Sequence, residues 1–252
     1  MMEIFSLKGR KAFVSGASRG LGREMALTLA EAGADVALAA RNIEGLNETA
    51  TLIRKMGREA LVCPMDISKF EDIERAVSDA VKAFGHIDIL INNSGIAGES
   101  PVVDLTPEKW DRVMDVNLKG HVFCTKAIGH HMIENKYGKI INIASIFGLI
   151  PVIYNSLYTV AKAGLILFTK TIALEWVRFN IQVNAICPGY FLTDLNREFF
   201  QTPAGQKVIN KIPMRRLGDP KEIRGVTLLL ASDASNFMTG SVIVIDGGHI
   251  VS

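Results

Sequence analysis

Cysteine is scarce: Cys63, Cys124 and Cys187 are the three in a chain of 252 residues. They are far apart, odd in number and set among apolar neighbours. That excludes a disulfide framework and predicts buried free thiols in a reducing compartment. The five histidines make no metal site either. His130 and His131 are adjacent, so a helix points them in different directions, and no Cys or Asp cluster joins them. Charge of one sign is missing as well. Against 28 Lys and Arg stand 26 Asp and Glu, for a net charge of +2, and the basic residues are scattered. This speaks against nucleic acid and against an anionic membrane as partners. Residues 1–10 hold no apolar signal core, and no uninterrupted apolar run approaches the ~18 residues of a membrane span. A cytoplasmic protein is expected. Repeats, linkers and low-complexity segments are absent, so residues 1–252 are expected to form a single domain.

What is present is a hydrophobic content of 48% with 21% charge, the balance of a soluble protein with a sizeable core. Apolar runs alternate with amphipathic stretches. The expected strands are 11–15, 35–40, 60–65, 87–91, 139–144, 181–186 and 241–245. The expected helices are 23–32, 42–56, 69–84, a region from 106 to about 135 with a break near Asn117, 155–179, and 219–231. Thr106 and Pro107 read as an N-cap followed by proline at N1. Parallel strands need crossover connections, so this alternation predicts an α/β fold: a seven-stranded parallel sheet covered by helices on both faces.

Two stretches carry chemistry. Gly16-Ala17-Ser18-Arg19-Gly20-Leu21-Gly22 lies between the first strand and the first helix, where backbone N–H groups and the helix dipole point at an anion. Its Gly-x-x-x-Gly-x-Gly spacing differs from Gly-x-Gly-x-x-Gly. An ordinary glycine turn is the plain alternative, but the strand before it and the helix after it favour dinucleotide binding. The second stretch is Tyr158 with Lys162, four apart and on one face of a helix over 155–179. Free tyrosine titrates near ~10, and a nearby cation favours the phenolate. Reaching about 7 takes roughly 4 kcal/mol. Tyr-x-x-x-Lys is a common spacing, so position has to decide its meaning. Ser145 ends the fifth strand, and in a parallel sheet such strand ends gather beside the ligand crevice.

Taken in order, Ser15-Gly16-x-x-x-Gly20-x-Gly22, Asp66, Asn92-Asn93-Ser94-Gly95, Asn117, Ser145, Tyr158-x-x-x-Lys162, Pro188-Gly189-x-x-x-Thr193 and Asp246-Gly247-Gly248 resemble the short-chain dehydrogenases/reductases of the compact, single-domain kind. The likeness spans nearly the whole chain and is shared between 3-oxoacyl reductases and gluconate 5-dehydrogenase-like members. It implies a Rossmann-like doubly wound fold and an oxidoreductase that interconverts a ketone and a secondary alcohol with a nicotinamide cofactor. By resemblance, Tyr158 is the general acid/base, Ser145 orients the carbonyl oxygen, Lys162 lowers the tyrosine pKa, and Asn117 fixes a water near the lysine. Asp66 and Ile67 would meet the adenine, and Asn92, Asn93, Ser94 and Gly95 the ribose and pyrophosphate. Pro188, Gly189, Thr193 and the backbone around Phe191 would hold the carboxamide. Two positions depart from the pattern: Ser15 stands where threonine is usual, and Ser94 where alanine is usual. A non-catalytic dinucleotide-binding regulatory protein of the same fold is the alternative, against which the intact Asn117, Ser145, Tyr158 and Lys162 argue.

The second strand ends Ala40-Arg41-Asn42, with no carboxylate to accept from an adenosine ribose and repel a 2′-phosphate. Arg41 and Arg19 suit a phosphate instead. NADP(H) is therefore preferred, with NAD(H) tolerated. Candidate substrate-pocket residues are Ile146, Phe147, Ile153, Asn155 and Tyr190, beside Ser145 and Tyr158, under a lid-like segment at about 193–216. They suit a small carbonyl compound, a 3-oxoacyl group or a keto-sugar acid. The helix of Tyr158 also carries Leu165, Ile166, Leu167, Phe168, Ile172, Trp176 and Phe179, more apolar surface than one face can bury. A homotetramer, or a homodimer, is expected from it.

Overall fold

Alternation within each apolar run sets two faces, and the chain uses both. In the computed structural model, which describes residues 2–193 and 196–252, the strands are β1 (Lys11–Ser15), β2 (Asp35–Ala40), β3 (Ala60–Pro64), β4 (Ile89–Asn92), β5 (Gly138–Ile143), β6 (Ile181–Pro188) and β7 (Val242–Ile245). They form one sheet of order β3-β2-β1-β4-β5-β6-β7, and every pairing is parallel. The helices are α1 (Gly20–Glu31), α2 (Ile43–Lys55), α3 (Phe70–Phe84), α4 (Pro107–Met114), α5 (Gly120–Asn135), α6 (Ser156–Trp176), α7 (Arg197–Gln201), α8 (Pro203–Ile209) and α9 (Arg224–Ala231).

Successive strand residues face opposite ways. Val14, Val36, Leu38, Ile91 and Ile141 pack under Met25 and Leu29 of α1, Leu46 and Ile53 of α2, and Leu230 of α9. Phe13, Ala37, Leu90, Ile140 and Val183 pack under Ile73 and Val77 of α3, Ile128 and Met132 of α5, and Ile172 of α6. The chain therefore buries both faces of the sheet. Cys63, Cys124 and Cys187 are free and buried, and burial pushes the first two thiols up to about 12.

Strand order reverses between β1 and β4, and this is where an open α/β sheet leaves a crevice at its carboxyl edge. The break anticipated near Asn117 is five residues of wider π-helical winding, Asp115–Lys119, between α4 and α5. Thr106 does cap α4, accepting from the Lys109 N–H at 3.3 Å, with Pro107 opening the helix. The segment 156–179 is long and apolar enough, by length and composition, to cross a membrane. Here it is a core helix: Leu157, Ala161, Leu165, Ile166, Thr169 and Ala173 are buried in the protein.

Candidate active site

The crevice at the carboxyl edge is a cavity of about 670 Å³, within the ~300–1,000 Å³ of ligand sites. One end is built by the turn after β1. Gly16 has φ +69°, and a side chain on Gly22 would collide with the Gly16 carbonyl oxygen, so the turn closes only with glycine at these points. The Ser15 hydroxyl accepts from the Asn93 N–H at 3.0 Å and the Ser94 N–H at 3.3 Å, tying the ends of β1 and β4 together. Helix α1 starts with no capping side chain and no acidic residue in its first turn, so its N–H groups face the cavity uncompensated. Arg19 and Arg41 are exposed beside them, and no carboxylate ends β2.

Of the residues singled out from the sequence, Gly16, Ser18, Arg19, Gly20, Leu21, Gly22, Arg41, Asp66, Ile67, Asn93, Ser94 and Gly95 border this end. Ser145, Phe147, Asn155, Tyr158, Lys162, Pro188, Gly189, Tyr190 and Thr193 border the rest. Asp66 turns one carboxylate oxygen to its own loop, accepting from the Ser68 N–H at 3.1 Å and hydroxyl at 2.8 Å. Sequence reasoning missed Ile96, Ala97, Val116 and Asn196, which also line the cavity. Asn196 accepts from the Thr193 N–H and donates to the Phe191 carbonyl, each at 2.8 Å. An asparagine three residues after a threonine in a loop was the available signal.

Three residue placements need correction. Ile153 is 80% exposed, in a turn ahead of Tyr154, which has φ +59°; its side chain points to solvent and not into the cavity. Phe191 follows Tyr190 in extended backbone, so the two face opposite ways. Tyr190 takes the cavity side, while the Phe191 side chain is 5% exposed in the core, against Gly218; the expectation for the backbone around Phe191 is untouched by this. Ile146 is likewise buried at 1%. Asn92 is fully buried and donates to Thr125 at 2.9 Å and to Asn142 at 2.8 Å, cross-linking β4, β5 and α5 behind the site. Asn117 does not border the cavity and is fully buried behind the loop that does. Its amide accepts from the Ile96 N–H and donates to the Ile96 carbonyl, each at 2.8 Å, which fixes the loop after β4. Of the lid-like segment, residues 194 and 195 lie outside the described residues; α7 and α8 account for most of the remainder.

The reacting end is built on the ends of β5 and β6 and the first turns of α6. Ser145 accepts from the Phe147 N–H at 3.1 Å and stands beside the Tyr158 phenol, whose charged form it favours. Lys162 is 3% exposed and donates to the Ile143 carbonyl at 2.8 Å; its Nζ lies 5.7 Å from the centre of the Tyr158 ring. The expected lowering of the tyrosine pKa is not what this geometry gives. Burial pushes Tyr158 above its ordinary value, outweighing the Ser145 contact. The same burial pushes Lys162 down to about 8. Lys162 is anchored on a carbonyl, and loss of water around both groups dominates. Beyond them Tyr190 meets Phe147, Phe200 and His249 edge to face, with ring centres 5.8, 5.6 and 5.7 Å away. Asn155 Oδ1 is buried without a protein partner. Among the described residues no group of three His, Cys, Asp or Glu gathers to hold a metal.

Comparison with known proteins agrees with this geometry. Residues 16–249 match the family model adh_short_C2, described as enoyl-(acyl carrier protein) reductase. A 2-dehydro-3-deoxy-D-gluconate 5-dehydrogenase of Escherichia coli K12 is 37% identical over 99% of both chains. An NADP-dependent mannitol dehydrogenase of Hypocrea jecorina is 40% identical over 99% of this chain and 95% of its own. The crystal structure of a gluconate 5-dehydrogenase from Burkholderia cenocepacia, in complex with NADP and tartrate, superposes with a TM-score of 0.94 at 34% identity, covering 99% of this chain and 98% of that one. The chain belongs to the short-chain dehydrogenase/reductase family and is an oxidoreductase of that type.

Proposed function

We propose that this protein interconverts a ketone and a secondary alcohol with NADP(H), and that Tyr158 exchanges the proton with the substrate oxygen. The observation that carries this reading is that Ser145, Tyr158 and Lys162 share one cavity with an uncapped helix N-terminus flanked by two arginines. That end fits a dinucleotide: uncompensated N–H groups for a pyrophosphate, Arg19 and Arg41 for a 2′-phosphate, and Asp66 and Ile67 for the adenine. Asn93, Ser94 and Gly95 would follow the ribose and pyrophosphate, and Pro188, Gly189 and Thr193 the carboxamide. When bound, the nicotinamide supplies the hydride exchange.

The chain's own residues supply the proton and the positioning. A phenol held above its ordinary pKa is protonated at neutral pH, which suits the general acid needed when a carbonyl is reduced. The Ser145 hydroxyl, fixed by Phe147 N–H, orients the carbonyl oxygen. Lys162 supports the phenolate that remains, and Asn117 holds the loop against which Lys162 rests.

For the substrate, Asn155 Oδ1 is a buried acceptor without a protein partner, and Tyr190 lines the same cavity with a hydroxyl. Both suit a polyhydroxylated carbonyl compound, in keeping with the gluconate and mannitol relatives; a keto-sugar acid or ketose fits better than a 3-oxoacyl chain. Val160, Leu167 and Leu174 are exposed on α6 at sevenfold spacing, one continuous stripe, which supports a homotetramer or homodimer packed through this helix. The test is NADPH oxidation over ketoses, keto-sugar acids and 3-oxoacyl esters. Turnover of a polyhydroxylated carbonyl with a higher kcat/KM for NADPH than NADH is expected. Tight NADPH binding with no turnover across the panel would favour the regulatory alternative, and a preference for NADH would overturn the reading of Arg19 and Arg41.

A further inference from the structure

Buried polar side chains almost always find partners. His121 is 0% exposed, and neither of its ring nitrogens has one. It lies at the start of α5, one helical turn beyond Asn117 and therefore on the same face. The Ser94 carbonyl stands against its ring. Lys162, whose charge reaches the ring, commits one ammonium proton to the Ile143 carbonyl. Lys162 Nζ and Asn117 Oδ1 crowd the same backbone point, Gly95, where an added Cβ would lie 3.8 Å and 3.4 Å from them. Burial and the Lys162 charge push His121 down to about 3, so its imidazole is neutral and carries one donor and one acceptor. With the N–H toward the Ser94 carbonyl, the acceptor nitrogen is left for the Lys162 side.

The groups that act on Lys162 give that acceptor a purpose. Among the described residues the titratable groups around it are Tyr158 on its own helix, Cys187 from β6 and His121 from α5, with no carboxylate, and Cys187 is the one that shifts its titration. A buried ammonium without a carboxylate depends on neutral acceptors to stay charged.

We propose that His121 is a positioning residue for the acid–base site: its neutral imidazole accepts a hydrogen bond from Lys162 through one buried water, and so holds Lys162 charged beside Tyr158. The inference rests on the reading of Tyr158 and Lys162 given above, and it breaks no bond; the proton stays on Lys162.

The test is a pH titration of the full-length enzyme carrying 13C-labelled lysine, following the ε-carbons by NMR. Burial pushes two lysines down to about 8, Lys162 and Lys139; Lys139→Met assigns the second, which then serves as the internal control. In His121→Phe the Lys162 midpoint should fall by about one unit, with Lys139 unmoved and the alkaline limb of kcat falling with Lys162. His121→Gln, whose amide oxygen can accept, should fall in between. Should His121→Phe not fold, His121→Leu is read the same way. A Lys162 midpoint unchanged in a folded apolar variant overturns the proposal, because a merely structural histidine would alter stability and leave this titration in place. The titration needs no turnover, so its failure is distinct from survival of activity in Tyr158→Phe, which would sink the functional reading instead.

Discussion

Lys162 and Lys139 are two lysines buried at opposite edges of one sheet, and the same physics moves both to about 8: loss of water around an ammonium. Their surroundings differ. Lys139, on β5 at the amino edge, donates to Asn236 Oδ1 at 2.7 Å and to Ser235 Oγ at 3.4 Å, with the Asp233 carboxylate holding part of its charge. Around it Arg10 pairs with Asp88 at 3.6 Å and with Asp233 at 3.7 Å, closing that edge with charges that satisfy one another. Lys162, at the carboxyl edge, has among the described residues one carbonyl partner and no carboxylate, and a cavity lies in front of it. A perturbed pKa alone therefore does not mark a functional lysine. The unfinished hydrogen bonding of its neighbourhood does.

The comparison breaks most sharply on exchange of each lysine for methionine. Lys162→Met should lower kcat about a thousandfold, a general acid–base loss, with little change in the urea midpoint. Lys139→Met should leave kcat within about threefold and cost about 2 kcal/mol of stability, because it orphans the groups it held. Steady-state kinetics beside urea unfolding would show it, and equal losses of kcat in the two variants would erase the distinction.

A smaller effect is expected at the far end of the same cavity. Replacing Arg19 and Arg41 together by alanine removes two charge-assisted contacts and should lower kcat/KM for NADPH about a hundredfold while leaving NADH within about threefold. Kinetics with both nucleotides measure it.

The smallest effect concerns His121, which separates the two edges in pH. Its pKa is about 3 when folded and 6.5 ordinarily, so between these values the unfolded chain binds the extra proton. Stability is then full above 6.5 and drains away as pH falls toward 3. At pH 5 the loss is about 2 kcal/mol, at ~1.36 kcal/mol per unit. Urea midpoints at pH 7 and pH 5 should converge in His121→Phe relative to the natural chain; an unchanged gap would mean that other groups carry the acid sensitivity.

Much of this was legible in the residues, for reasons that particular elements show. The strands could be read because short apolar runs such as Asp35–Ala40 alternate with helical periods. The break near Asn117 shows because a polar amide and Gly120 interrupt an otherwise regular helix. Direction of facing in short loops was not legible: Tyr190 and Phe191 are both aromatic, and only the bridge to Gly218 decides which is core. Ile153 looked like pocket lining because apolarity does not distinguish a wall from an exposed turn. The tyrosine pKa is not legible from sequence because a four-residue spacing sets proximity along a helix but says nothing about how deep the phenol lies. His121 gave no signal at all, since its role depends on burial against Lys162, forty-one positions away in the chain.

The central claim is that Tyr158 exchanges the proton in a site where the cofactor is held by other residues. Tyr158→Phe removes one oxygen and keeps the ring. NADPH affinity measured by fluorescence titration, with turnover of the best carbonyl substrate measured beside it, should show binding within about threefold of the natural enzyme and kcat lower by about a thousandfold. A variant that binds NADPH normally and keeps a tenth or more of the turnover would contradict the account and place the acid on another residue.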